Sequence, residues 1–184
     1  NKFSRKAAHL IRSKYNGIIS TSKTINSDNA LLNCRIEGLD FYKPDLFIID
    51  LNLKLKRKLL LNNFLKKRKT FLITYKKNFK KTHFFKKKGY KIILIKSLSS
   101  KDDFNLLFKK LYKMGYSRVL IETGLTFLNS LIKNKLINEL FIFKSNKKLN
   151  KKGKNNATLK YLKNISSRLI SNNLNNDKLY KKEF

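Results

Sequence analysis

The sequence predicts a three-layer α/β domain, a mixed and mostly parallel central sheet flanked by helices. Two observations point there. Short apolar runs of strand length, at 17–20, 45–50, 70–75, 90–95 and 118–122, alternate with amphipathic stretches of helical period at 4–13, 102–114 and 126–134. A chain of 184 residues, 41% of them apolar, also suits one filled core and argues against wholesale disorder.

Taken in order, Ser4 to Ser13 has apolar residues at 7, 8, 10 and 11 with Arg5, Lys6 and Arg12 elsewhere, a short amphipathic helix with Ser4 as N-cap. Gly17 to Ser20 follows as a short strand after the Tyr15-Asn16-Gly17 break. Thr21 to Ala30 gathers Ser, Thr, Asn and Asp and reads as a loop, and Leu31 to Ile36 as a short extended piece. Asp45 to Asp50, entered from the only proline, Pro44, is the clearest buried strand. Thr70 to Tyr75 and Tyr90 to Ile95 are similar, with a basic loop from Lys76 to Lys88 between them.

Asp102 to Met114 is a helix, apolar at 104, 107, 108, 111 and 112. Asp102 and Asp103 suit its positive end, and Gly115 stops it. Strand Arg118–Glu122, helix Thr126–Asn134 and strand Glu139–Phe143 complete a domain over residues 1–145. Residues 146–184 bring a Lys/Asn-rich stretch that runs from 144 to 156, then a hairpin of 165–170 with 178–184, turning around 172–177, to complete that domain. No internal repeat is present.

The charge is extreme: 44 Lys plus Arg against 11 Asp plus Glu, net +33. Such a field draws in nucleic acid, anionic lipid or phosphorylated metabolites. Only 7 of the 44 are Arg, however, while the chain holds 22 Asn but 6 Gly, 1 Pro and 4 Ala. That is the signature of A/T-rich codons, and Lys scattered by such drift lands on any solvated surface. Nucleic-acid readers favour Arg for bidentate contacts, and Arg is what this chain lacks, so no specific nucleic-acid partner is expected. The single cysteine excludes a disulfide framework and a Cys-rich zinc site. No apolar run approaches the ~18 to 20 residues of a membrane span, and no charged-then-greasy leader stands before a small-residue cleavage site, so the expected setting is cytoplasmic and membrane-free.

The most informative local arrangement is Arg118-Val-Leu-Ile-Glu122-Thr-Gly124-Leu-Thr126-Phe-Leu. A buried strand ends in a carboxylate, turns at a glycine and opens a helix. Helix N-termini receive phosphate readily, and Glu122 stands at a strand's carboxyl end, where open sheets place ligands. The competing account is that Glu122 caps the turn and Gly124 merely allows it. A second arrangement, Arg12, Thr24, Asp28 and Arg35 across a polar loop, could clamp a phosphate in fork geometry or simply be solvated. His9 and His83 have no ligand-spaced partners, so no metal is expected. Cys34 reads as a small core residue. Asp50 could touch a ligand or cap a turn.

Together these pieces resemble the reductase domain of the bifunctional riboflavin-biosynthesis deaminase–reductase. The family's helix ending in L-R, strand, Thr and D-x-P-x-L-T-x-R run is similar to Leu10-Ile11-Arg12, Gly17-Ile18-Ile19, Thr24 and Asp28-Asn29-Ala30-Leu31-Leu32-Asn33-Cys34-Arg35. Its P-x-x-x-x-x-D strand resembles Pro44 to Asp50, its V-x-V-E-x-G-x-x-L segment Val119 to Leu128, and its V-D-E-L strand Ile137 to Phe141. The ordered set agrees from about residue 4 to 145.

The resemblance implies a dihydrofolate-reductase-like fold and NADPH-dependent reduction of 5-amino-6-(5-phosphoribosylamino)uracil to its ribitylamino product. It assigns Arg12, Leu32, Arg35 and Glu122 to the phosphorylated pyrimidine, with Glu122 working at the sugar end as the catalytic residue. It assigns Thr24, Asp28 and the stretch Gly124, Leu125, Thr126, Phe127, Leu128, Asn129, Ser130 to NADPH. A homodimer is compatible with it. Another dihydrofolate-reductase-like NADPH reductase and a basic nucleic-acid-binding protein are the alternative functions. Three departures stand out. Ala30 replaces a usual proline, and Leu51 stands where many members have a cofactor-contacting serine. The family's first strand, with its lysine and S-L-D-G segment, is expected before residue 1, which makes the chain a truncated or degraded domain. The deaminase half, with its H-x-E and P-C-x-x-C zinc ligands, is expected to be absent.

Overall fold

A computed structural model describes residues 1–39, 44–147 and 168–184. The chain divides into two compact units, His9–Thr123 and the pair Asn1–Ala8 with Gly124–Phe184, the first boundary falling inside helix α1 (Lys2–Ser13).

The first unit is built on a sheet of five strands: β1 (Gly17–Thr21), β2 (Asp45–Ile49), β3 (Thr70–Tyr75), β4 (Lys91–Ile95) and β5 (Val119–Ile121), in the order β4-β3-β2-β1-β5. Every neighbouring pair is parallel. Strands buried on both faces need apolar residues without alternation, which is why 45–50 and 70–75 read as continuous greasy runs. The pleat sends Leu46 and Ile48 to one face, where they join Ile18 and Leu72. That layer is covered by Ile25 of α2 (Ser22–Asp28), Leu61 of a 3-10 helix (Leu60–Phe64) and Phe85 of α3 (His83–Lys87). Toward the other face Phe47 stacks on Phe71 with ring centroids 4.6 Å apart, and Tyr116 meets Phe47 edge-on at 4.7 Å. A Cβ at Gly17 would stand 3.0 Å from the Phe47 ring, so any larger residue there would have to push that ring aside.

Helix α4 (Lys101–Lys113) buries Phe104, Leu107 and Leu111, the i, i+3, i+7 stripe. Ser100 and Asp103 close a reciprocal capping box at its start, at 3.2 and 3.0 Å.

The second unit contains α5 (Leu125–Lys133) and a three-stranded antiparallel sheet of β6 (Glu139–Lys144), β7 (Arg168–Leu174) and β8 (Asp177–Glu183), in the order β6-β8-β7. Strands β7 and β8 are joined through Asn175 and Asn176, both at positive φ (51° and 71°), as a two-residue hairpin turn of right-handed twist requires. The turn is tighter than the expected 172–177. Asn1 Oδ1 accepts the Ser4 N–H at 2.9 Å, so helix α1 starts before Ser4, which is not its cap.

The α/β class and mostly parallel sheet match expectation, but some local readings do not. Residues 21–30 are not a loop: Thr21 caps α2, which buries Ser22 and Ile25. The basic stretch 76–88 is a 3-10 helix (Lys76–Thr82) followed by α3, tied in by buried Asn78, Thr82 and Phe85. Residues 31–36 join no strand. The Lys/Asn-rich stretch beyond 147 and the expected hairpin start at 165–167 lie outside the described residues.

Candidate active site

The strand order of the first unit reverses between β1 and β5, and in open parallel sheets ligands settle at the carboxyl ends of the strands beside such a reversal. There β1 delivers Thr21 and β5 runs into Glu122. The Glu122 N–H donates to Ile19 O at 2.9 Å, and the Ser20 hydroxyl donates to Glu122 O at 2.7 Å. With its backbone fixed on both sides, Glu122 presents its carboxylate to Arg12, from the last turn of α1. Arg12 Nε donates to Oε1 at 2.7 Å and Nη2 to Oε2 at 2.8 Å, a two-pronged pair. It is partly shielded, the side chains being 15% and 28% exposed.

Arg12 also reaches the segment after α2, donating through Nη1 to Asn33 O at 3.2 Å. One turn earlier on α1, buried His9 sets Nδ1 at 2.9 Å from Asn33 O and 3.2 Å from Arg35 N, while Cys34 Sγ donates to His9 O at 3.4 Å. Burial pushes the His9 imidazole below its ordinary 6.5; Arg12 and then Arg35 push the same way, against the Asn33 carbonyl and Glu122.

The same segment is held from another direction by Arg68, just before β3. Its buried guanidinium donates to Leu32 O at 2.7 Å, Pro44 O at 3.4 Å and, more closely, Leu31 O. Burial lowers Arg68 to about 10, opposed by Asp45. Leu32 itself lies in the left-handed region at φ 49°, a conformation a branched side chain avoids unless its surroundings impose it.

Of the residues expected at the substrate, Arg12 and Glu122 are thus in contact, and Leu32 and Arg35 lie on the segment that Arg12 and His9 hold. The Arg12 fork differs from expectation in one respect. Its bidentate edge faces Glu122, whereas the exposed Arg35 side chain leaves its own fork toward solvent. Thr24 lies in the first turn of α2, its N–H donating to Thr21 Oγ1 at 3.3 Å with the two hydroxyls 3.0 Å apart. Asp28 is exposed at the carboxyl end of α2, where the helix dipole disfavours an acid. Asp50 caps a turn: its buried carboxylate accepts Lys54 N at 2.8 Å, Leu55 N at 2.7 Å and the Ser22 hydroxyl at 2.9 Å.

In the second unit, Gly124 is the N-cap of α5, with no side chain to cap it. Its backbone is ordinary extended chain (φ −70°, ψ 162°), and no heavy atom of the described residues lies within 4 Å of where a Cβ would stand. Neither conformation nor packing calls for glycine at this position. Leu125 to Ser130 form the first six residues of this helix, Thr126 exposed and none of the six buried.

Sequence reasoning missed His9 and Arg68. It weighed His9 only as a metal ligand, and Arg68 is camouflaged in Lys66-Lys67-Arg68-Lys69. The usable signal was arginine itself: where codons drift toward lysine, the few Arg kept are positions where a planar fork matters.

A family model, the RibD C-terminal domain, matches residues 1–149. No curated protein matches the chain. Among solved structures, RibD of Acinetobacter baumannii is similar with 18% identity and a TM-score of 0.74, over 98% of this chain and 50% of that one. The diaminohydroxyphosphoribosylaminopyrimidine deaminase/5-amino-6-(5-phosphoribosylamino)uracil reductase of Thermotoga maritima is similar with 17% identity and a TM-score of 0.70, over 100% and 49%. The riboflavin biosynthesis reductase Rib7 of Saccharomyces cerevisiae gives 18% and 0.73, over 98% and 80%. The chain spans about half the length of the Acinetobacter and Thermotoga proteins. At these identities the likeness is one of fold.

Proposed function

Because the chain belongs to the RibD C-terminal domain family, we propose that it carries the reductase step of riboflavin biosynthesis, the NADPH-dependent conversion of 5-amino-6-(5-phosphoribosylamino)uracil to 5-amino-6-(5-phosphoribitylamino)uracil. The observation that carries this reading is the Arg12–Glu122 pair at the sheet's reversal point, touching through Asn33 the segment that bears Leu32 and Arg35. In it, Arg35 receives the substrate phosphate. Its guanidinium is the exposed one, and a planar fork meets a phosphate dianion bidentately where lysine offers a point charge. Arg12 orients Glu122, and the Glu122 carboxylate hydrogen-bonds the sugar where reduction occurs. Leu32, its side chain packed into the core, meets the substrate through the backbone it anchors.

The reduced nicotinamide, when bound, supplies the hydride. Thr24 and Asp28 are the first unit's candidates for holding it. In the second unit the candidates are Gly124 to Ser130, whose helix start offers N–H groups and a positive dipole end to phosphate.

The test is loss of NADPH absorbance on adding the phosphoribosylamino substrate. The parent chain should consume NADPH only when that substrate is present. Arg35→Lys should weaken substrate binding by ~1 to 3 kcal/mol, the scale of charged hydrogen bonds, with NADPH affinity unchanged. Unaltered KM and kcat in Arg35→Lys would remove Arg35 from the site.

A further inference from the structure

We propose that His9 is a positioning residue for the segment carrying Leu32 and Arg35: its neutral ring holds the Arg35 backbone N–H at Nδ1, and proton uptake there releases it. The inference rests on Arg35 being a substrate ligand. Nδ1 stands between donors and an acceptor, the Arg35 N–H at 3.2 Å and Arg12 Nη1 at 3.5 Å on one side and the Asn33 carbonyl at 2.9 Å on the other. One ring nitrogen serves only one of them at a time.

What each neighbour has elsewhere decides between them. The Asn33 carbonyl already accepts from Arg12 Nη1 at 3.2 Å. The Arg35 N–H has no other partner among the described residues. With Nδ1 accepting, the Arg35 N–H and the Asn33 carbonyl both keep a partner. With Nδ1 protonated, the Asn33 carbonyl has two donors and a backbone N–H loses its acceptor.

The charges around the ring favour the first arrangement. The groups facing it are Arg12 from its own helix, Arg35 from the segment and Glu122 from the end of β5. Two are cations, and the one carboxylate is engaged two-pronged by Arg12. A buried imidazolium there would be a third cation with no counter-charge of its own. The neutral ring therefore carries its proton on Nε2, the assignment that satisfies the network. Acidification turns Nδ1 from acceptor to donor, swings it onto Asn33 O and frees the Arg35 backbone, so the guanidinium no longer starts from a fixed point.

Long-range proton–nitrogen NMR of the histidine rings in the full chain reads this directly. The expected result at neutral pH is a neutral His9 with the proton on Nε2; a proton on Nδ1 overturns the proposal. Amide exchange of Arg35 gives a second reading. Exchange should be about tenfold faster in His9→Leu, the worth of one buried hydrogen bond, and parental in His9→Asn, whose Oδ1 takes the place of Nδ1. Equal exchange in the parent and His9→Leu overturns it. If His9→Leu does not fold, the parent ring and His9→Asn still decide.

The third reading is the affinity for 5-amino-6-(5-phosphoribosylamino)uracil across pH. It should fall more steeply below 6.5 in the parent than in His9→Asn, the substrate phosphate's own titration being common to both. Identical profiles overturn the proposal. If the ring and exchange results hold but the parent does not bind this substrate at any pH, the substrate reading fails and the His9–Arg35 clamp stands.

Discussion

Leu32 and Leu53 both lie in left-handed backbone, at φ 49° and 53°, yet the two turns are held by different means. Leu53 sits in a turn that largely closes on itself. Asp50 O accepts the Leu53 N–H at 3.2 Å, and the Asp50 carboxylate takes the next two N–H groups. Leu32 sits in a segment gripped from afar, by Arg68 from 36 residues along the chain and, at the neighbouring Asn33, by Arg12 from 21 residues before. The Asp50 turn carries its own acceptor for its backbone N–H groups, and Ser22 and Asn26 only add to it from α2. The remotely held segment has its shape only when several elements are in place, and it is the one bearing the candidate substrate residues.

Breaking the self-held turn should cost most. Asp50→Ala strips two backbone N–H groups and a hydroxyl of their shared acceptor, so a loss of ~3 kcal/mol is expected from the denaturant midpoint at unchanged slope. Arg68→Met should cost less, ~2 kcal/mol by the same measurement, because relief of a buried charge offsets part of the loss of donors to Leu31 and Leu32. A cost below ~0.5 kcal/mol would show that those carbonyls do not need Arg68.

The remote grip should also be sensitive to acid. His9 binds a proton less readily in the folded chain than at its ordinary 6.5, so on acidification the unfolded chain takes up that proton first. This contribution to stability is complete above 6.5 and declines below it, down to the folded value. Comparing parent with His9→Asn isolates it from carboxylate titration, and equal slopes would count against it. The smallest effect belongs to Leu53→Gly. Relief of the left-handed backbone opposes loss of a half-buried side chain, leaving a net change within ~1 kcal/mol. The same exchange at Leu32, which is 7% exposed, should cost ~2 kcal/mol more because a buried side chain is lost.

This contrast also marks how far the sequence could be read. The parallel strands were legible because a strand buried on both faces must be apolar throughout, and α4 because its stripe and stop signals are local. Helix α2 was not. Ser22, Thr24, Asn26 and Ser27 look like loop residues, and what makes them a helix is tertiary: Ser22 donates to Asp50, and Asn26 binds both Lys54 O at 2.8 Å and Lys56 N at 2.9 Å. The positions of Arg12 and Glu122 were legible as types in an ordered pattern. Their contact was not, since nothing local to either names a partner 110 residues away. His9 and Arg68 escaped for the same reason: each is defined by backbone groups it meets only after folding.

That long separation sets an order of assembly. Strands β1 to β4 each pair with a sequence neighbour, so each step closes a loop of modest length, whereas β5 must travel back past three strands to set Val119 opposite Gly17. During synthesis the arginine of α1 therefore emerges long before its carboxylate. Until β5 arrives, β1 offers an open strand edge, and that edge stays unpaired at least until the ribosome has passed Glu122.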